Sequence, residues 1–199
     1  MNKYLLLTIS FGLLFCACQS PTSLPQGPFE VDYIDGTNLH TLDGKKLPIT
    51  GMGQPDQQTY FLVRHAEKAK DGGDNPRLNE QGTARAKKLA KILEKVPMDK
   101  IYSSDYHRTR DTASPLANKQ GKTISYYDPR KQAAHFDPEL KGNGGESILV
   151  VGHSNTIPQL INILLGEEKY TTLAHEAYGD LFIVSSKGPN KAEVMELKY

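Results

Sequence analysis

Gln58-Thr59-Tyr60-Phe61-Leu62-Val63-Arg64-His65-Ala66-Glu67-Lys68 is the stretch on which the fold turns. Six residues that are mostly β-branched or aromatic run straight into an arginine, a histidine and a polar loop. A short apolar run of this length reads as a strand buried on both faces. A second stretch repeats the pattern: Ser147-Ile148-Leu149-Val150-Val151 leads into Gly152-His153-Ser154-Asn155. In open α/β sheets ligands bind beyond the carboxyl ends of the strands. Two imidazoles delivered there, one beside an arginine, suit an anion and a nucleophile.

Outward from these strands, helix and strand signals alternate. Asn79 is a good N-cap for a helix whose inward face would hold Ala84, Leu89, Ile92 and Leu93. Ile101-Tyr102-Ser103 reads as a strand and Tyr106 to Lys119 as a helix that Pro115 bends or divides. Thr123 to Tyr127 is a third strand, and Arg130 to Leu140 a helical segment interrupted by Pro138. After the strand 147–152, Thr156 to Leu165 forms a helix closed by Gly166. Leu181 to Ser185 and Glu193 to Leu197 read as a terminal β pair. Alternation of this kind predicts an α/β fold, a three-layer α/β/α sandwich with a largely parallel central sheet. Residues 58–199 make up this domain. Residues 29–57 read as a small β extension, with Asp35-Gly36 as its turn signal.

The amino-terminal residues have a different character. Met1-Asn2-Lys3 gives a short positive start, Tyr4 to Phe15 is apolar, and Ala17 precedes Cys18. That layout is a secretory signal rather than a membrane span. A cysteine at the cleavage region is similar to the bacterial lipoprotein signal, which implies removal of residues 1–17 and a lipid anchor at Cys18. An uncleaved anchor or a plain secretory signal is the alternative. Removal takes out Lys3 and Cys16, leaving one cysteine and no intramolecular disulfide. Residues 18–28, with their Pro, Ser and Gly, read as a flexible tether. The chain is expected outside the cytoplasm, held on a bacterial membrane, with Gln19 compatible with the outer one.

The 199 residues carry 24 Lys plus Arg against 23 Asp plus Glu, so no basic excess points to nucleic acid. Any basic pocket must come from individual residues. Arg64 is permanently charged and forks onto phosphate or carboxylate oxygens. His65 is neutral near pH 7 and has a ring nitrogen able to attack phosphorus. His153 opens a helix at Ser154-Asn155-Thr156, where backbone N–H groups favour anions. Arg108, in Ser104-Asp105-Tyr106-His107-Arg108-Thr109-Arg110, enters the same crevice if the second helix starts there. Singly, each of these residues is as well explained by a solvated surface.

Together they resemble the histidine phosphatase superfamily, also called phosphoglycerate mutase-like. Arg64-His65-Ala66-Glu67 resembles its Arg-His-Gly signature, with Ala66 in place of the usual glycine. Leu78-Asn79-Glu80-Gln81-Gly82 resembles its Leu-Thr-x-x-Gly, Ser104 through Ala113 its Ser-x-x-x-Arg-Ala-x-x-Thr-Ala, and Gly152-His153-Ser154 its second-histidine motif. The short length resembles the small-domain branch, with SixA-like phosphohistidine phosphatases nearest. The resemblance implies that His65 is the nucleophile, that Arg64, Arg108 and His153 bind the phosphoryl group, and that no metal or other cofactor takes part. By its spacing from Ser104, Arg108 rather than Arg110 matches the family arginine.

The family commonly places a carboxyl group to protonate the leaving oxygen, just after the third strand. Asp128 is the candidate by position, with Glu67 as the alternative. Lys68 and Lys70 are placed to attract an anionic substrate or simply to be solvated. The expected activity is hydrolysis of a small phosphate monoester through a phosphohistidine. The rivals are a phosphohistidine-protein phosphatase, a mutase, and a phosphate-binding module without turnover. Substrate identity and oligomeric state have no sequence signal.

Overall fold

A computed structural model describes residues 28–140 and 144–199. The signal, Cys18 and the tether through residue 27 lie outside the described residues. Nine strands form one sheet in the order β3-β2-β1-β9-β8-β4-β7-β5-β6. They are β1 (Phe29–Asp35), β2 (Asn38–Thr41), β3 (Lys46–Pro48), β4 (Gln58–Arg64), β5 (Lys100–Ser104), β6 (Ile124–Tyr127), β7 (Ser147–Gly152), β8 (Asp180–Ser186) and β9 (Ala192–Lys198). The helices are α1 (Glu80–Ile92), α2 (His107–Gln120), α3 (Gln132–Leu140) and α4 (Thr156–Leu165).

The sheet is parallel where the apolar runs predicted it and again at the β1–β9 junction, and antiparallel elsewhere. β4, β7, β5 and β6 run parallel, as crossover helices require. β8 turns back antiparallel on β4, and β9 antiparallel on β8. The small extension is a β1–β2–β3 meander, and its β1 joins the sheet edge by pairing Phe29 with Leu197 and Glu30 with Lys198.

β4 is buried at all seven positions, and its side chains alternate between two cores. Phe61 and Val63 pack with Leu89, Leu93 and Leu116 under α1 and α2. Tyr60 and Leu62 pack with Phe136, Leu160 and Ile161 under α3 and α4. These two cores on opposite faces make the three layers. Each fully buried aliphatic or aromatic side chain contributes about 1.5–3 kcal/mol relative to exposure.

Three local expectations change. Ala84 points to solvent, and Ala86 takes its place on the inner face of α1 with Leu89, Ile92 and Leu93. α2 runs unbroken through Pro115, and α3 through Pro138. In each case packing against the sheet outweighs the one hydrogen bond that a proline removes.

Candidate active site

The register of β4 on β7 sets Arg64 opposite Gly152, and His65 N–H donates to Gly152 O at 2.9 Å. The residues after each strand are therefore side by side. The His65 and His153 rings lie 5.5 Å apart, edge to face. A Cβ at 152 would sit 2.9 Å from Ile157 Cδ1, Thr156 Oγ1 and Tyr127 Oη, so glycine keeps this junction open.

His65 is 4% exposed, and its Nδ1 lies 2.8 Å from Ala66 O. A carbonyl only accepts, so Nδ1 carries the proton and Nε2 keeps its lone pair. Burial, reinforced by His153, Arg108 and Arg64, pushes the imidazole pKa down to about 3 despite that hydrogen bond. His153 is lowered to about 4, by burial first and then by Arg108 and Arg64. Its Nε2 lies 2.8 Å from Ser104 Oγ, which donates to Thr109 Oγ1 at 3.0 Å. Thr109 Oγ1 in turn donates to Ser104 O at 2.7 Å. That chain of donors leaves Ser104 Oγ to accept from His153 Nε2–H. Both rings are neutral at pH 7, with assigned tautomers.

The arginines are held differently. Arg64 is 6% exposed, and its Nη1 donates to Ala174 O, His175 O and Ala177 O at 2.9–3.2 Å, with Cζ 4.3 Å from the Tyr178 ring centroid. Its Nε is buried without a protein partner. Arg108 reaches the same place from α2, where Thr112 Oγ1 donates to Arg108 O and accepts from Ala66 N–H. Its Cζ stacks 4.5 Å from the Tyr106 ring centroid, and burial lowers its pKa. Arg110 instead pairs with Asp105 and stacks on Tyr126, outside the cleft. Arg64, His65, Arg108 and His153 all line one cleft of about 1060 Å³.

Two neutral imidazoles and two guanidiniums at the end of β4 and β7 match a known pattern. The family model of the histidine phosphatase superfamily (branch 1) matches residues 60–130, from β4 through the turn after β6. Residues 60–130, which carry the His65 and Arg108 motifs, are thus similar to the histidine phosphatase superfamily. Its fold is similar to that of the mycobacterial glucosyl-3-phosphoglycerate phosphatase, at 16% identity and TM-score 0.58 over 71% of this chain and 99% of that one. It is likewise similar to the protein histidine phosphatase SixA in its tungstate complex, at 16% identity and TM-score 0.58 over 70% and 96%. Phosphoserine phosphatase of Entamoeba histolytica, solved as a mutant with phosphoserine, gives 17% identity and TM-score 0.55 over 69% and 95%. No curated protein sequence matches this chain.

The superfamily's glycine-containing motif has a plain structural reason here. Asn79 Oδ1 accepts from Gly82 N–H at 2.8 Å, and Asn79 N–H donates to Glu67 O at 3.0 Å. A Cβ on Gly82 would lie 2.1 Å from Glu67 O. The first turn of α1 thus clamps the loop that follows the nucleophile. Ala66, which replaces the usual glycine, is fully buried with its N–H on Thr112, and its methyl group is accommodated.

Neither sequence candidate for the proton donor lines the cleft. Glu67 turns away to Arg85, whose Nε and Nη2 donate to it at 2.6–2.9 Å. Burial raises its pKa, but the Arg85 hydrogen bonds outweigh that and leave it lowered. Asp128 caps the 3₁₀ turn Pro129–Lys131 and accepts from Arg130 N, Nε and Nη2 at 3.0–3.2 Å. Those hydrogen bonds hold its pKa below the usual range. The carboxylates that line the cleft are Asp74 and Glu168, and Glu168 accepts from Asn162 Nδ2 at 3.0 Å.

Sequence reasoning missed the residues that hold the site rather than form it. Ser104, Thr109, Tyr106 and Tyr178 are among them, as is the 166–179 loop whose carbonyls fix Arg64. Ser104 and Thr109 lie inside a recognised motif, so their spacing was a usable signal. The carbonyls carried none.

Proposed function

We propose that this protein is a phosphatase that hydrolyses small phosphate monoesters through a phosphohistidine at His65. One observation carries the reading: His65 is a buried, neutral imidazole with Nδ1 tied to Ala66 O and Nε2 unprotonated, among Arg64, Arg108 and His153. Nε2 attacks phosphorus, the P–O bond to the leaving group breaks, and the departing oxygen takes a proton from water in the open cleft. A water then attacks the phosphohistidine, the P–N bond breaks, and phosphate leaves with His65 neutral again. The arginines act on the charge spread over the equatorial oxygens, which is most of what phosphoryl transfer requires, with His153 beside them in the same cleft. This donor set supplies the positive charge from side chains, and turnover is expected to persist in a chelator.

The test is turnover of phenyl phosphate by the full-length chain in mild detergent, with and without EDTA. Turnover that His65→Ala abolishes, with a phosphorylated histidine trapped in the wild type by an alkaline denaturing quench, supports the reading. Phosphate binding with no turnover of any ester makes the protein a binding module instead.

We further infer that the chain is exported and held on a bacterial membrane by lipid on Cys18. Support comes from Met1 to Cys18 and from the Pro- and Ser-containing tether ahead of β1. An extracytoplasmic site favours a small ester over a cytoplasmic phosphoprotein. Labelling of the wild type, but not Cys18→Ala, by a radioactive fatty acid is the expected result; equal membrane release of both sinks the anchor.

A further inference from the structure

The cleft is far larger than a phosphoryl group, and its charge is uneven. Beyond Arg64 and Arg108, its lining includes Lys68, Arg130 and Lys131 against only Asp74 and Glu168. The whole chain is close to neutral at +1, so this is a local concentration of positive charge. The charges are also differently engaged. Arg130 is neutralised by Asp128, and Glu168 is held by Asn162. Among the described residues, neither Lys68 nor Lys131 forms an ion pair or side-chain hydrogen bond.

Both lysines stand on fixed backbone. Lys68 bridges to Leu78 and Ala69 N–H donates to Arg77 O at 2.9 Å, which ties the post-nucleophile loop to the segment before α1. Lys131 N–H donates to Asp128 O at 2.9 Å inside the 3₁₀ turn. The next residue, Gln132, is buried and donates from Nε2 to Thr156 O at 3.0 Å, so the turn is anchored to the helix that follows His153. Two unpaired ammonium groups thus line the cleft, one on the loop after β4 and one on the turn after β6.

Resting on the phosphatase reading, we propose that Lys68 and Lys131 form a second anion subsite, and that the preferred substrates carry a carboxylate or a second phosphate on the leaving group. Neutral alcohols released from phosphate would leave both ammonium groups unused. A second anion placed there gains Coulomb attraction that exposed geometry keeps modest and salt weakens.

The experiment uses three esters with one alkyl chain: propyl phosphate, 3-(phosphonooxy)propanoate and propane-1,3-diol bisphosphate. The full-length chain is expected to favour the charged pair over propyl phosphate by about tenfold in kcat/KM at low salt. In Lys68→Met/Lys131→Met that ratio is expected to fall to near one, and in wild type to shrink at high salt. Which of the two charged esters leads separates a carboxylate site from a phosphate site. The same three ligands titrated calorimetrically into His65→Ala report the subsite without turnover. A wild-type ratio near one, or a ratio that survives in the double variant, overturns the subsite. Absence of turnover with the binding preference intact overturns the phosphatase reading and keeps the subsite.

Discussion

The inner and outer parts of the cleft are built by opposite rules. Inside, Arg64 and His65 are 6% and 4% exposed, and their neighbours take up one side of each group. Arg64 spends Nη1 on three carbonyls, His65 spends Nδ1 on Ala66, and His153 spends Nε2 on Ser104. Outside, the Arg130 side chain is 88% exposed, Asp74 is exposed, and Lys68 and Lys131 have no partner among the described residues. Desolvated, fixed groups are worth far more to a developing charge than hydrated, mobile ones. Changes inside should therefore alter turnover, and changes outside the choice among substrates.

The sharpest way to break that division is to remove the one inner cation that nothing else needs. Arg108 is held by stacking on Tyr106 and leaves its fork to the cleft, whereas Arg64 also fixes the 166–179 loop. Arg108→Ala is expected to lower kcat/KM by about 10²–10³-fold, the scale for losing a preorganised donor, with little change in melting temperature. Arg64→Ala should lose comparable activity and melt earlier as well. Near-wild-type turnover in Arg108→Ala would put the inner wall in the same class as the rim.

The second expectation concerns what burial does to the inner histidines. Both have folded-state pKa values below the ordinary 6.5, about 3 for His65 and about 4 for His153. The unfolded chain thus binds more protons between those values and 6.5. The associated stability is complete above pH 6.5 and is lost as pH falls toward 4 and 3. Denaturant melts of wild type and His65→Gln at pH 7 and pH 4.5 should show the wild type losing more, by an amount on the order of a few kcal/mol. Parallel losses would mean that His65 is not desolvated as its burial implies.

How much of this was legible depends on the range of the interaction. The strands ending at Arg64 and Gly152 were readable because a strand buried on both faces has no polar interruption. α4 was readable to its last residue, since Gly166 adopts the left-handed conformation, at φ 73°, that closes the helix. The four motifs located the inner site for the same reason: their side chains act close to where they stand in sequence. The join of β1 to β9 was not readable, because pairing Phe29 with Leu197 spans nearly the whole described chain. Nor was the Arg64 anchor, which consists of carbonyls that every residue has. Asp128 was placed by position alone. It follows the third strand as expected, but Arg130, two residues on, captures its carboxylate.

A smaller effect tests how the inner wall is supported. Ser104→Ala removes the acceptor of His153 Nε2–H and breaks the relay to Thr109. Loss of one hydrogen bond of about 1 kcal/mol predicts a fall of about fivefold in kcat/KM, with the nucleophile untouched. Ser104→Thr, which keeps the hydroxyl, should recover part of it. A loss as large as that of Arg108→Ala would make Ser104 part of the phosphate contact rather than a support for His153.

The smallest effect should come from the residue that position alone singled out. A proton donor to the leaving oxygen reveals itself by selectivity: removing it slows esters of basic alcohols more than esters of acidic phenols. Asp128 lies outside the cleft lining and its carboxylate is held ionised by Arg130, so it has neither the place nor the proton for that task. Asp128→Asn is expected to change kcat/KM by less than about twofold, and equally for propyl and 4-nitrophenyl phosphate, as for an exposed ion pair. A slope against leaving-group basicity that appears only in the variant would show the Arg130 pairing opening during turnover, and would bring Asp128 from the rim into the inner site.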